Sequence, residues 1–302
     1  MKKTVLFCAT LVALCLIGTL VVRFSMGTLG IAKPDANSGE FRIVTMAPSS
    51  GEVVFALGLA DQVVGVSRFA TFPQEVHDKP KVGGYLDVDM EALLGLNANV
   101  VVVLKEQEDL ARRLRQFGID VVMVDHMSIA GIKDSVQLLG QKFNKPKEAS
   151  LLLSSLQDRI QMVESLSDSQ NAKPSMLLSI GRELGKGKVS GLVAAGAAGI
   201  HQELLEIAGY SNSYKGRENF PQLTREHIIR MDPEFIVDMV NAEDATHIGV
   251  DVIRSDWESH QELRAVREGL VFVLAGDQHF VPGPRFCDTL EWLITLRRGV
   301  EK

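Results

Sequence analysis

Between Pro146 and Ser167 no glycine or proline interrupts the chain, and Ala149, Leu152, Leu156, Ile160 and Val163 recur at spacings of 3, 4, 4 and 3. That is the period of one apolar helix face. Proline suits the first helical position, where its missing N–H would have no intrahelical acceptor. At 1.5 Å per residue such a helix spans about 33 Å. A helix of this length, set between two other blocks, constrains the whole fold. It acts as a rigid strut rather than a hinge, and the flanking segments must fold against its two ends.

The block before the strut alternates strand and helix. Residues 42–46 are a short β-branched run ending at Ala47-Pro48-Ser49-Ser50, where either serine can cap a helix over 52–59. A buried strand follows at 63–66, then a helix over 90–96. Residues 100–104, Val-Val-Val-Val-Leu, are apolar on both faces, the mark of a parallel strand covered by helices on each side. A helix over 108–117, stopped by Gly118, leads to a strand at 119–124. The block after the strut reads as strand 175–180, helices 201–208 and 225–231, strands 235–239 and 270–274, and a last helix through 288–296. This pattern predicts an α/β fold: two Rossmann-like lobes, 41–145 and 172–302, joined by one long rigid linker helix over 146–171.

The N-terminus is of another kind. Lys2 and Lys3 precede an apolar run from Val5 to Val22, then Arg23 and a small-residue stretch ending at Ala32. Residues 1–32 therefore read as a signal peptide cleaved near Ala32, or as an uncleaved anchor, since about 18 apolar residues come close to spanning a bilayer. Lipoprotein processing at Cys15 is disfavoured by the bulky Leu14 before it. Either way the folded part is expected outside the cytoplasm, in the periplasm or on the outer face of the membrane. A net charge of −6 without a basic block argues against nucleic acid or an anionic membrane surface as partner. Cys287 is the one cysteine beyond the leader, so zinc-ribbon and thioredoxin chemistry, which need paired cysteines, are excluded.

Catalytic motifs are missing. No two of the seven histidines stand three to five residues apart, and no G-x-S-x-G elbow presents a serine. The glycine-rich loop at 181–187 superficially resembles a phosphate loop but lacks the Gly-Lys-Ser/Thr end. No catalytic residue, metal site or resident cofactor is expected. Polar and aromatic residues instead cluster just after strand ends: Ser49, Ser50, Arg68, Tyr85, His126, Arg182, His279 and Arg285, with Phe69, Lys105, Asp277 and Phe280 beside them. Ligands of open α/β sheets sit beyond the carboxyl ends of strands, so these residues are expected to line one cleft between the lobes.

Five segments in order resemble the substrate-binding proteins of ABC importers for iron–siderophores, haem and vitamin B12. Residues 42–52 (RIVTMAPSSGE) are similar to the family's first strand and its "SP-x-x-x-E" turn. Residues 82–85 (VGGY) and 89–102 (DMEALLGLNANVVV) are similar to its "VGGY…N-x-E-x-I-x-A-L-K-P-D-L-V" block. Residues 204–209 (LLEIAG) and 220–226 (FPQLTRE) resemble "LLE-x-AGG" and "W-P-Q-V-S-x-E". The sequence departs at 96–99, where Lys-Pro-Asp is usual, and at Tyr210, where a second glycine is common. The resemblance covers residues 41–296. It implies a class III periplasmic binding protein, a monomer that captures a metal chelate and delivers it to a dimeric permease, docking through Glu52 and Glu206. A ferric siderophore held by Arg68, Arg182 and Arg285 ranks first, then haem with Tyr85 as axial ligand, then cobalamin. The alternatives are a direct transition-metal receptor, a secreted chelatase or esterase, and an interaction lobe without a small ligand.

Overall fold

A computed structural model describes residues 41–167 and 172–300. The expected signal or anchor over 1–32 and the end of the expected 146–171 linker lie outside the described residues. Strands β1 (Ile43–Thr45), β2 (Val63–Val66), β3 (Val100–Leu104) and β4 (Asp120–Val124) form a parallel sheet in the order β2-β1-β3-β4. β3 lies inside it, and its alternating side chains feed two cores. Val100 and Val102 pack with Val54, Val136 and Leu139, whereas Val101 and Val103 pack with Leu93, Leu110 and Leu114. The helices that supply those partners are α1 (Pro48–Ala56), α2 (Met90–Gly95), α3 (Glu108–Gln116) and α4 (Ile129–Lys142).

Two of these helices differ from expectation. α1 starts at Pro48, four residues before the expected start, because proline is preorganised for the first helical position; Ala47 is the N-cap, without a side-chain cap bond. Ser49 and Ser50 therefore lie inside the helix, and the Ser50 hydroxyl donates to Ala47 O at 3.0 Å instead of capping. α4 is a helix the sequence reading did not anticipate, since Gly131 and Gly140 weaken its pattern. Ser128 caps it by accepting from Gly131 N at 3.0 Å. Gly140 permits a close crossing, because a Cβ there would collide with the methyl group of Ala149.

The strut is α5 (Pro146–Leu166), 21 residues long. Ala149 belongs to the core of the first lobe, and Leu156, Ile160 and Val163 to the core of the second. The second sheet contains β5 (Ser175–Glu183), β6 (Ser190–Ala194), β7 (Ser211–Asn212), β8 (Gln222–Leu223), β9 (Phe235–Val240) and β10 (Val271–Ala275). Its order is β10-β9-β5-β6-β8 with β7 beside β5. β7, β9 and β10 run parallel to β5, while β6 returns antiparallel through the 184–189 turn; β5 runs three residues past its expected end at 180, so the glycine-rich 181–187 segment is half strand. Around it lie α6 (Ile200–Ile207), α7 (Arg225–Met231), α8 (Ala242–Ile248), α9 (Val250–Ser255), α10 (Arg264–Arg267) and α11 (Phe286–Val300).

The lobes share more than the strut. Arg159 of α5 donates through Nε and Nη2 to Glu291 at 2.6 and 2.8 Å, and through Nη2 to Asp288 at 2.7 Å, fixing the strut to α11. Ile129 and Ile132 of α4 are buried in the second lobe's core.

Candidate ligand-binding cleft

The carboxyl ends of β1, β2, β3 and β4 open toward those of β5 and β10, and two cavities lie between them. The larger, about 190 Å³, is lined by His126 and Met127 from the first lobe and by His201, Phe220, Gln278 and His279 from the second, with Ile180, Leu204 and Phe286 at its base. The smaller, about 150 Å³, takes Ser49, Ser67, Phe69 and Tyr85 from the first lobe. Phe280, Val281 and Pro282 line both.

Three imidazoles face the larger cavity. His126 is 2% exposed and neither ring nitrogen has a hydrogen-bond partner. Burial pulls its pKa down to about 4, against the pull of Asp125 in the other direction. Burial does the same to His201, also to about 4, with a hydrogen bond to the His279 backbone opposing it. His279 is lowered as well, by burial first; its Nδ1 lies 2.8 Å from Thr289 Oγ1. All three are therefore neutral at pH 7. Among the described residues no three His, Cys, Asp or Glu side chains are grouped to hold a metal ion.

The arginines are engaged elsewhere. Arg182 is the clearest correction to the expected ligand contacts. Its side chain is wholly buried, with Nε donating to Asp238 and Nη1 to Asp256, each at 2.7 Å, and Nη2 to Ile253 O. The adjoining glycine-rich loop does cradle an anion, but it is the protein's own: Gly185 and Gly187 amides donate to Asp256 at 2.8 and 2.6 Å. Arg285 lines neither cavity. Its Nη2 donates to Glu52 Oε1 at 2.5 Å and its guanidinium lies 4.1 Å from the Phe72 ring centroid, so it links the lobes. Arg68 remains at the rim, paired with Asp87 and stacked on Phe69. Tyr85 is half-exposed at the mouth, its phenol pushed up by burial and by Glu106, which disfavours the phenolate that iron ligation needs.

The two expected docking acids differ in their surroundings. Glu52 is 4% exposed beneath Arg285, and burial raises its pKa despite that partner. Glu206 is exposed but stands at the end of α6, where Lys173, just before β5, donates to its backbone carbonyl; this is the side of the sheet away from the cleft. His201, Met127 and Phe220 were not singled out from sequence. His201 had one available signal, its place in the first turn of a helix after a glycine-rich turn.

A model of the family described as periplasmic binding protein matches residues 43–277. The ABC transporter substrate-binding lipoprotein YvrC of Bacillus subtilis is 26% identical over 261 residues, 83% of this chain and 78% of that protein. The vitamin B12-binding protein of Vibrio campbellii is 24% identical over 208 residues, 67% and 71% of the two chains. Among solved structures, the periplasmic vitamin B12 binding protein BtuF of Vibrio cholerae superposes with a TM-score of 0.73 at 22% identity, covering 86% of this chain and 98% of that one. The periplasmic haem-binding protein RhuT of Roseiflexus gives 0.71 at 22%, covering 85% and 97%. With two α/β lobes, a linking helix and a cleft between them, the chain belongs to the periplasmic binding protein family, as the substrate-binding component of an ABC importer.

Proposed function

We propose that this protein captures a corrinoid outside the cytoplasm and hands it to its permease. One observation carries the ligand class: the cleft offers apolar walls and neutral imidazoles, while each arginine expected to meet an anion is already paired with a carboxylate. A ferric siderophore or the propionates of haem would need free cations for charge-assisted hydrogen bonds. The corrin periphery carries uncharged amides and asks for none. The similarity to the vitamin B12-binding protein of Vibrio campbellii supports the same class. Haem is the second reading, favoured by His126, His201 and His279, since imidazole is an established axial ligand of haem iron. A direct metal-ion receptor has no ligand set among the described residues.

The test is titration of the purified protein with cyanocobalamin, haemin and a ferric hydroxamate, followed by tryptophan fluorescence. Saturable binding of cyanocobalamin, tighter than that of the other two, is expected. Preference for the ferric hydroxamate would restore the siderophore assignment.

A further inference from the structure

Phe280, Val281 and Pro282 form the wall between the two cavities. They belong to a strap, residues 278–285, that crosses from β10 to α11 and reaches over to the first lobe. A Cβ on Gly283 would lie 2.9 Å from Glu52 Oε2 and 3.3 Å from Ser49 Cα, so only glycine lets the strap approach α1 this closely. The Arg285–Glu52 ion pair pins it there.

That pin is incomplete. Arg285 uses Nη2 alone and Glu52 uses Oε1 alone. Arg285 Nε and Glu52 Oε2 are both buried without a partner, where a fork-shaped bidentate pair would satisfy both. Each orphaned buried group weakens the closed arrangement. Neither cavity, at about 190 and about 150 Å³, reaches the roughly 300 Å³ at which small-molecule sites begin. The lobes are braced by α5, by Ile129 and Ile132, and by Arg159, so the missing room cannot come from spreading them.

We propose that the strap is a gate: in the unliganded protein the Arg285–Glu52 contact holds it across the cleft, and a chelate enters when that contact releases and the two cavities merge. The inference rests on the reading of the cleft as a site for a bulky chelate. It assigns Arg285 and Glu52 an autoinhibitory role rather than one in ligand contact or docking.

Two measurements on the full chain test it, one without ligand. Hydrogen–deuterium exchange of residues 278–286 is expected to speed at least tenfold in Arg285→Ala and in the milder Glu52→Gln, while the amides of β9 and β10 keep their rates. Stopped-flow association of cyanocobalamin is expected to become several-fold faster in both variants. Unchanged exchange of the strap in both variants overturns the gate, as does association that is unchanged or slower. A wild-type protein that ignores cyanocobalamin overturns the corrinoid assignment alone, because strap exchange is read without any ligand.

Discussion

The backbone N–H of Ile129 donates to Glu203 Oε2 at 2.8 Å, so an acid on α6 of the second lobe closes the N-terminus of α4 in the first. The carboxylate satisfies one of the four donors a helix start leaves open and sits at the positive end of its dipole. Removing it should couple to both lobes at once. Glu203→Ala is expected to lower stability by about 1 kcal/mol, with urea unfolding still a single transition in circular dichroism and fluorescence. Two separated transitions would mean that the lobes fold independently and that the contact is incidental.

Arg182 makes a sharper case. Its guanidinium lies between Asp238 and Asp256 with no solvent exposure, and Trp257 Nε1 adds a 3.2 Å hydrogen bond to Asp238. Burial pushes the Asp256 carboxyl up, but Arg182 and the Gly185 and Gly187 amides outweigh it and hold it below the usual range. Arg182→Met leaves two carboxylates uncompensated in the core, an expected loss of roughly 3–5 kcal/mol in urea denaturation. Ligand affinity of the fraction that remains folded should be unchanged, because the residue lies outside both cavities. A variant of normal stability that binds cyanocobalamin weakly would return Arg182 to the binding site.

The elements that were legible from sequence are those set by local period. The 3, 4, 4, 3 spacing predicted α5 almost to the residue, and helix 225–231 matches α7. The unbroken valines of β3 announced a strand buried on both faces. Positions of the charged side chains were not legible. Arg182 follows the same pattern as a ligand-facing residue, polar and near a strand end, and only the return of α9 with Asp256 and of the turn after β5 converts it to a core ion. The pairing of Glu52 with Arg285 joins residues 233 positions apart, a distance no spacing rule spans. α4 was hidden for a different reason, since Gly140 serves the packing of two helices at the cost of helix propensity.

Acid should unfold this protein by way of its cleft. His126 and His201 have folded pKa values of about 4, against about 6.5 for a free imidazole, so between those values the unfolded chain holds more protons. Their contribution is whole above pH 6.5 and is lost as the pH falls toward 4, about 3 kcal/mol for His126 alone. Glu52 works in the opposite sense, since its raised pKa makes protonation easier in the fold than out of it. Melting temperature is expected to drop steadily from pH 7 to 4.5 in the wild type and less steeply in His126→Leu. Equal slopes would assign the acid sensitivity to other groups.

Ligand entry should leave the lobes where they are. α5 contributes Ala149 to one core and Leu156, Ile160 and Val163 to the other, so bending it would open packed surface at both ends. Arg159 holds its middle to α11, and α4 buries Ile129 and Ile132 in the far lobe. Hinge closure in other binding proteins relies on a few loop residues that absorb large backbone rotations, whereas here the 21-residue helix α5 (Pro146–Leu166) runs from one core to the other. Small-angle scattering with and without saturating cyanocobalamin is therefore expected to give superimposable curves, with motion confined to the strap that carries Phe280. Glycine substitutions at Leu156 and Ile160, which thin the packing of α5, should be needed before the curves separate. A ligand-induced rotation of tens of degrees in the wild type would show that the helix bends and that its two anchored ends do not act as one body.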